Sequence, residues 1–151
     1  MLLHDAALSY LHFVFVLILA GALAAEAFVL RLPVDGRIAR LLLRIDLFYG
    51  IASFGVIVAG ISRVLWGAKG AEYYTDQWTF WAKMGVFLLI GILSSIPTRR
   101  FMRWAKSVRA NANFTPDEVD VRNVRRVVMV ELHLLACVPV FAALMARAIG
   151  S

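Results

Sequence analysis

The sequence predicts an all-α integral membrane protein, a four-helix bundle carried by a single transmembrane domain over residues 1–151, with both termini on the outer side. Three observations predict it. About 62% of the 151 residues are hydrophobic and only 17% are charged, with a mean hydropathy of +0.78. Four long apolar runs divide the chain, each near or above the ~20 residues that cross a bilayer. Twelve of the sixteen basic residues lie on only two of the connections between them. Lipid leaves no partner for an unpaired backbone group, so the four runs are read as helices, over about residues 6–30, 38–65, 77–106 and 116–149.

The first run, Ala6 to Leu30, is interrupted only by His12 and Glu26. No Lys or Arg precedes it and its apolar stretch exceeds a signal-peptide core, so it is expected to be retained rather than cleaved. Pro33 and the Asp35-Gly36 pair then make a turn. The second run, Leu41 to Leu65, carries Arg44, Asp46 and Arg63 toward its ends, and its Gly50, Gly55 and Gly60, with Ala52 and Ala59, suit close helix packing. Trp66, Tyr73, Tyr74, Trp78 and Trp81 crowd the next connection, as in an interfacial aromatic belt. The third run, Trp78 to Pro97, holds Lys83, and Pro97 is expected to end or kink it. Thr115-Pro116-Asp117-Glu118 reads as a capping box with proline at the first helical position, so the fourth helix is expected to start near Pro116. Its apolar part, Val127 to Ile149, holds Glu131, His133 and Arg147.

Basic loops stay cytoplasmic. The first connection holds Arg31, Arg37, Arg40 and Arg44. The third holds Arg99, Arg100, Arg103, Lys106, Arg109, Arg122, Arg125 and Arg126, whereas the second has only Arg63 and Lys69. The termini are therefore expected on the periplasmic side of a bacterial inner membrane. The net charge of +6 is accounted for by topology and by attraction to anionic headgroups, and nucleic acid is excluded as a partner. The composition also disfavours a soluble enzyme and a disordered chain. One cysteine excludes an intramolecular disulfide framework and a thiolate-only metal site.

Ionisable groups at membrane depth are costly and are functional candidates by default. Depth sorts them into two sets. His12 lies about seven residues from the outer end of its helix, ~10 Å deep at 1.5 Å per residue. Lys83 lies at a similar depth and Arg63 is near the outer end of the second helix, so these three can meet. Glu26, Asp46, Glu131 and His133 form a secondary polar cluster toward the cytoplasmic side. His12 and Glu26 are 14 residues apart, ~40° from a common face, with Leu19 and Leu23 between them. Glu131 and His133 differ by ~200° and cannot face one neighbour. Each residue also has a plainer reading. Arg63 and Lys83 can snorkel to headgroups, Asp46 can pair with Arg40 or Arg44, Glu26 can pair with Arg31, and either histidine can be a hydrogen-bonded packing residue.

No Ser-His-Asp arrangement, glycine-rich phosphate loop, HxxxH or CxxC spacing is present. A neutral imidazole in a helical bundle is a competent axial ligand for haem iron. A porphyrin needs an apolar slot with cations at its rim, and His12 below Arg63 and Lys83 offers one. The same arrangement suits any anionic tetrapyrrole or a quinone. Joint ligation of one haem by His12 and His133 is rejected, because the two lie toward opposite ends of a ~30 Å core. A single-histidine site, or one completed by another group, remains.

Leu11-His12-Phe13, the stretch from Arg40 to Gly50, and Phe80-Trp81-Ala82-Lys83 resemble small bacterial four-helix membrane proteins of the HemJ and copper-resistance-D-like superfamily. Ser94 to Trp104, SSIPTRRFMRW, looks particular to an uncharacterised branch of that group. The resemblance spans about residues 8–106. HemJ proteins contain haem and oxidise protoporphyrinogen, so the resemblance implies that His12 ligates the iron of haem b and that Lys83 is the functional cation. The candidate cofactor-binding set is thus His12, Arg63 and Lys83, with Lys83 and Arg63 the candidate catalytic residues of a HemJ-like oxidoreductase acting in electron transfer or porphyrinogen oxidation. A second reading is a non-catalytic accessory or assembly subunit of a larger, for example respiratory, membrane complex, or a homo-oligomer. Copper or small-solute handling is weaker, since the chain has no methionine-rich or multi-histidine track.

Overall fold

The computed structural model describes residues 2–67 and 70–146. Lys69, Arg147 and the expected last turn of the fourth membrane helix lie outside the described residues. The chain forms α1 (Leu2–Val29), α2 (Gly36–Trp66), α3 (Gly70–Thr75), α4 (Trp78–Ala110) and α5 (Glu118–Ala146), and the described residues include no strand. Four helices, all but α3, are long and apolar enough to cross a membrane. They pack as a ring in which α1 touches α2 and α5, and α4 touches α2 and α5. The short α3 rests between α2 and α4.

The boundaries follow from local chemistry. Asp35 caps α2: its Oδ1 accepts from the backbone N–H groups of Arg37 at 2.9 Å and Ile38 at 2.8 Å. Those bonds satisfy two of the donors that a helix start leaves free. The Ile38 N–H, aided by that of Arg37 and by the Arg37 and Arg40 guanidiniums, holds this exposed carboxyl below the usual carboxylate range. The α3 turn was not expected within the second connection. Beyond it, the Trp81 indole N–H donates to the Thr75 carbonyl at 2.9 Å and ties α3 to α4.

One expectation is corrected. Helix α5 starts at Glu118 rather than near Pro116, with the Val121 N–H bonded to the Asp117 carbonyl at 3.0 Å. Pro116 thus precedes the helix instead of opening it. Pro97 lies within α4, which runs past it to Ala110, a little beyond the expected limit near residue 106. The proline costs the Leu93 carbonyl its partner, yet Phe101, Trp104, Ala105 and Val108 beyond it are all buried. The apolar burial of that face outweighs one lost backbone bond. The stretch is also held to α5, where Asp120 accepts from the Trp104 indole at 3.1 Å and pairs with Arg100 at 2.9 Å.

The packed core lies mainly toward the arginine-rich end, around Leu19, Leu23, Leu42, Phe101, Val124 and Val128. Elsewhere the helices turn Phe13, Leu17, Phe54, Leu88, Ile92 and Val140 outward. A soluble monomer rarely exposes so much contiguous apolar surface; hydrocarbon is the solvent that satisfies it.

The glycines of α2 are not equivalent. Gly50 has open space around it, whereas a Cβ on Gly55 would stand 2.5 Å from the Phe15 ring and 2.6 Å from its Cγ. Because Cγ and the ring atoms beside it are not the far end of a flexible chain, relief requires the whole Phe15 ring to swing about χ1 or the two helices to part. Gly55→Ala is expected to destabilise the protein by ~1–3 kcal/mol, read as a lowered midpoint in detergent-denaturation titrations, and Gly50→Ala to leave it unchanged. Equal midpoints for the two variants would mean that α1 and α2 are not so closely apposed.

Candidate functional site

Two polar centres occur inside the bundle. In the one nearer the start of α1, named the outer centre after the expected topology, His12 packs against α2 where Gly60 leaves room. A Cβ at position 60 would lie 3.5 Å from the imidazole Cε1 and 3.7 Å from Nδ1. Arg63, almost one turn further along α2, and Lys83, early in α4, both act electrostatically on this ring. All three side chains are half-buried. The His12 Nδ1 and Arg63 Nε atoms are enclosed and make no hydrogen bond of good geometry, although the imidazole also interacts with the Val56 backbone, and the Lys83 ammonium sits 5.7 Å from the centre of the Phe80 ring. The three residues grouped by depth are therefore neighbours. An apolar groove of about 320 Å³ also runs between α1 and α2, lined by Leu11, Phe15, Phe54, Gly55 and Ala59 among others but by none of these three residues.

The inner centre is made by carboxyls. Glu26 of α1 is 1% exposed and Glu131 of α5 is 0% exposed, with Asp46 of α2 also buried. Asp46 and Glu131 both act electrostatically on Glu26, and Asp46 acts on Glu131. The stripe through His12, Leu19, Leu23 and Glu26 faces inward as its phase requires. The plainer pairings with nearby arginines are not formed. Asp46 accepts a 2.7 Å hydrogen bond from the Thr98 hydroxyl of α4, and among the described residues no ion pair joins it to Arg40 or Arg44. Nor does Glu26 pair with Arg31, whose guanidinium lies 5.2 Å from the Phe28 ring centre. Glu26 Oε1 and both oxygens of Glu131 lack a hydrogen-bond partner.

His133 does not join this centre. It is exposed, and its Nδ1 donates to the Met129 carbonyl one turn back at 2.6 Å. The ~200° offset from Glu131 places it on the outside of the bundle. Sequence reasoning missed Thr98 and Tyr49. The Tyr49 hydroxyl lies among those of Ser53 and Ser94 and close to Glu131 and Glu26. Tyr49 stands three residues after Asp46, on the same helix face, and that spacing was the available signal. The described residues contain no group of three or more His, Cys, Asp or Glu side chains placed to hold a metal ion.

Comparison with known proteins agrees with this architecture. The chain belongs to a family of predicted membrane proteins, DUF2214, whose profile matches residues 4–150. No curated protein and no solved structure matches the chain.

Proposed function

We propose that this is a multi-pass inner-membrane protein whose outer centre binds the acidic end of an anionic amphiphile. A b-type haem or related tetrapyrrole is the ligand class, and electron transfer or porphyrinogen oxidation the activity. The observation that carries the reading is the enclosed Nδ1 of His12 beside two cations, with an enclosed guanidinium Nε among them. Unpaired cations at membrane depth are expensive, and an incoming carboxylate offsets that cost with charge-assisted hydrogen bonds.

These residues fit a haem in their chemistry. His12 would supply the iron ligand, and Arg63 and Lys83 would hold the propionates. The groove between α1 and α2 offers apolar surface on the helices that carry His12 and Arg63. Bound iron would supply one-electron chemistry. The protein's own part is to place an imidazole and two cations in a setting shielded from water. The resemblance of the segments around His12 and Lys83 to HemJ supports the same reading.

The test is a visible spectrum of the detergent-purified protein made with haem available. A Soret band retained through purification is expected, and its absence overturns the haem reading. Co-purification of larger subunits with a colourless protein would instead favour the accessory-subunit reading.

We further propose that both termini face the periplasm, because the end of the bundle that holds the α1–α2 and α4–α5 connections, helix ends included, carries twelve of the sixteen basic residues. Reporter fusions at Ser151 and Lys69 should read as external, and one at Asn111 as cytoplasmic. A cytoplasmic Ser151 fusion would reverse this orientation.

A further inference from the structure

A cleft of about 660 Å³ opens where α1 ends and α5 begins. Arg31, Arg122 and Arg125 line it together with one acid, Glu118, over buried Leu30 and Val34. Three guanidiniums against one carboxylate leave two positive charges in excess. The side chains of Arg31, Arg122, Arg125 and Glu118 are exposed, so an incoming anion need not displace a buried group. Phe28 and Leu32, beside the cleft, are also exposed, at 65% and 52%. They stand at the level where α1 leaves the apolar region, so lipid chains reach them.

We infer that this cleft is a binding site for the phosphate headgroup of an anionic phospholipid, with a bis-phosphate lipid of the cardiolipin type matching its charge. Guanidinium forks bind phosphate oxygens bidentately, and basic pockets between membrane helices suit such headgroups. The volume admits a headgroup, while Phe28 and Leu32 give the acyl chains an apolar wall. The exposed apolar wall favours a lipid over free phosphate, which would gain nothing from it. The site lies at the opposite end of α1 from His12 and is independent of the proposed function.

Native mass spectrometry of the full chain, released from neutral detergent with added cardiolipin, phosphatidylcholine or inorganic phosphate, tests this. Cardiolipin adducts should survive and phosphatidylcholine adducts should not. Arg122→Ala/Arg125→Ala should weaken cardiolipin retention roughly thirty-fold, at about fivefold per basic residue near a membrane surface. Glu118→Gln should strengthen it. Arg103→Ala/Lys106→Ala removes equal charge from exposed positions on α4 and should change little. The inference is overturned if the α4 pair weakens retention equally, since the basic face would then act without a site. Displacement of cardiolipin by equimolar phosphate would also overturn it, by making free phosphate the ligand.

Discussion

Replacing His12 with Ala should abolish or strongly shift the Soret band of the purified protein, whereas Lys83→Met should keep a band at reduced occupancy. The two side chains share one centre but do different work there. The imidazole presents its Nδ1 against α2, and on the proposed haem reading its loss removes the iron ligand. The ammonium of Lys83 rests near the Phe80 ring, and on that reading its loss removes a charge contact of ~1–3 kcal/mol, about five- to 150-fold in affinity. Arg63→Leu should act like Lys83→Met. His133→Ala should leave the band in place, because that imidazole faces away from the bundle and is bonded to Met129. Loss of the chromophore in His133→Ala, with His12→Ala unaffected, would move the site to the other end of the molecule.

The helices were legible because hydrocarbon imposes one solution on long apolar runs. The inward stripe of α1 was legible for a related reason. Within a helix, phase is set by backbone geometry alone, so Leu19, Leu23 and Glu26 could be assigned to one face before any neighbour was known. The same arithmetic separated His133 from Glu131. Partner choice was not legible. Arg40, Arg44 and Arg31 are near Asp46 and Glu26 in sequence, but proximity along one helix says nothing of what the opposing helix presents. Thr98 comes from α4, 52 residues from Asp46. What carries α4 through Pro97 was not legible either. The proline's local cost is real, but the burial of Phe101, Trp104 and Val108 is a tertiary gain invisible to a local rule.

Replacing Glu131 with Met should raise stability, while Asp46→Leu should lower it. Both carboxyls are buried in the same centre, so burial alone does not distinguish them; their partners do. Neither oxygen of Glu131 has a hydrogen-bond partner, and a buried polar group left unsatisfied costs ~1–3 kcal/mol. A flexible apolar chain of similar length removes that cost without a cavity, so the midpoint in a detergent-denaturation titration should rise by a comparable amount. Asp46 is different, because its removal strands the Thr98 hydroxyl that donates to it at 2.7 Å. Asp46→Leu should therefore destabilise by ~1–3 kcal/mol, and adding Thr98→Val should restore much of the loss, since removing both partners is nearly neutral. A group whose removal stabilises the fold is kept for something other than stability, so a gain in Glu131→Met would single out Glu131 as the functional member of the inner centre. Destabilisation of Glu131→Met as large as that of Asp46→Leu would show instead that the Glu131 carboxyl is satisfied in the membrane, and its role would then be structural.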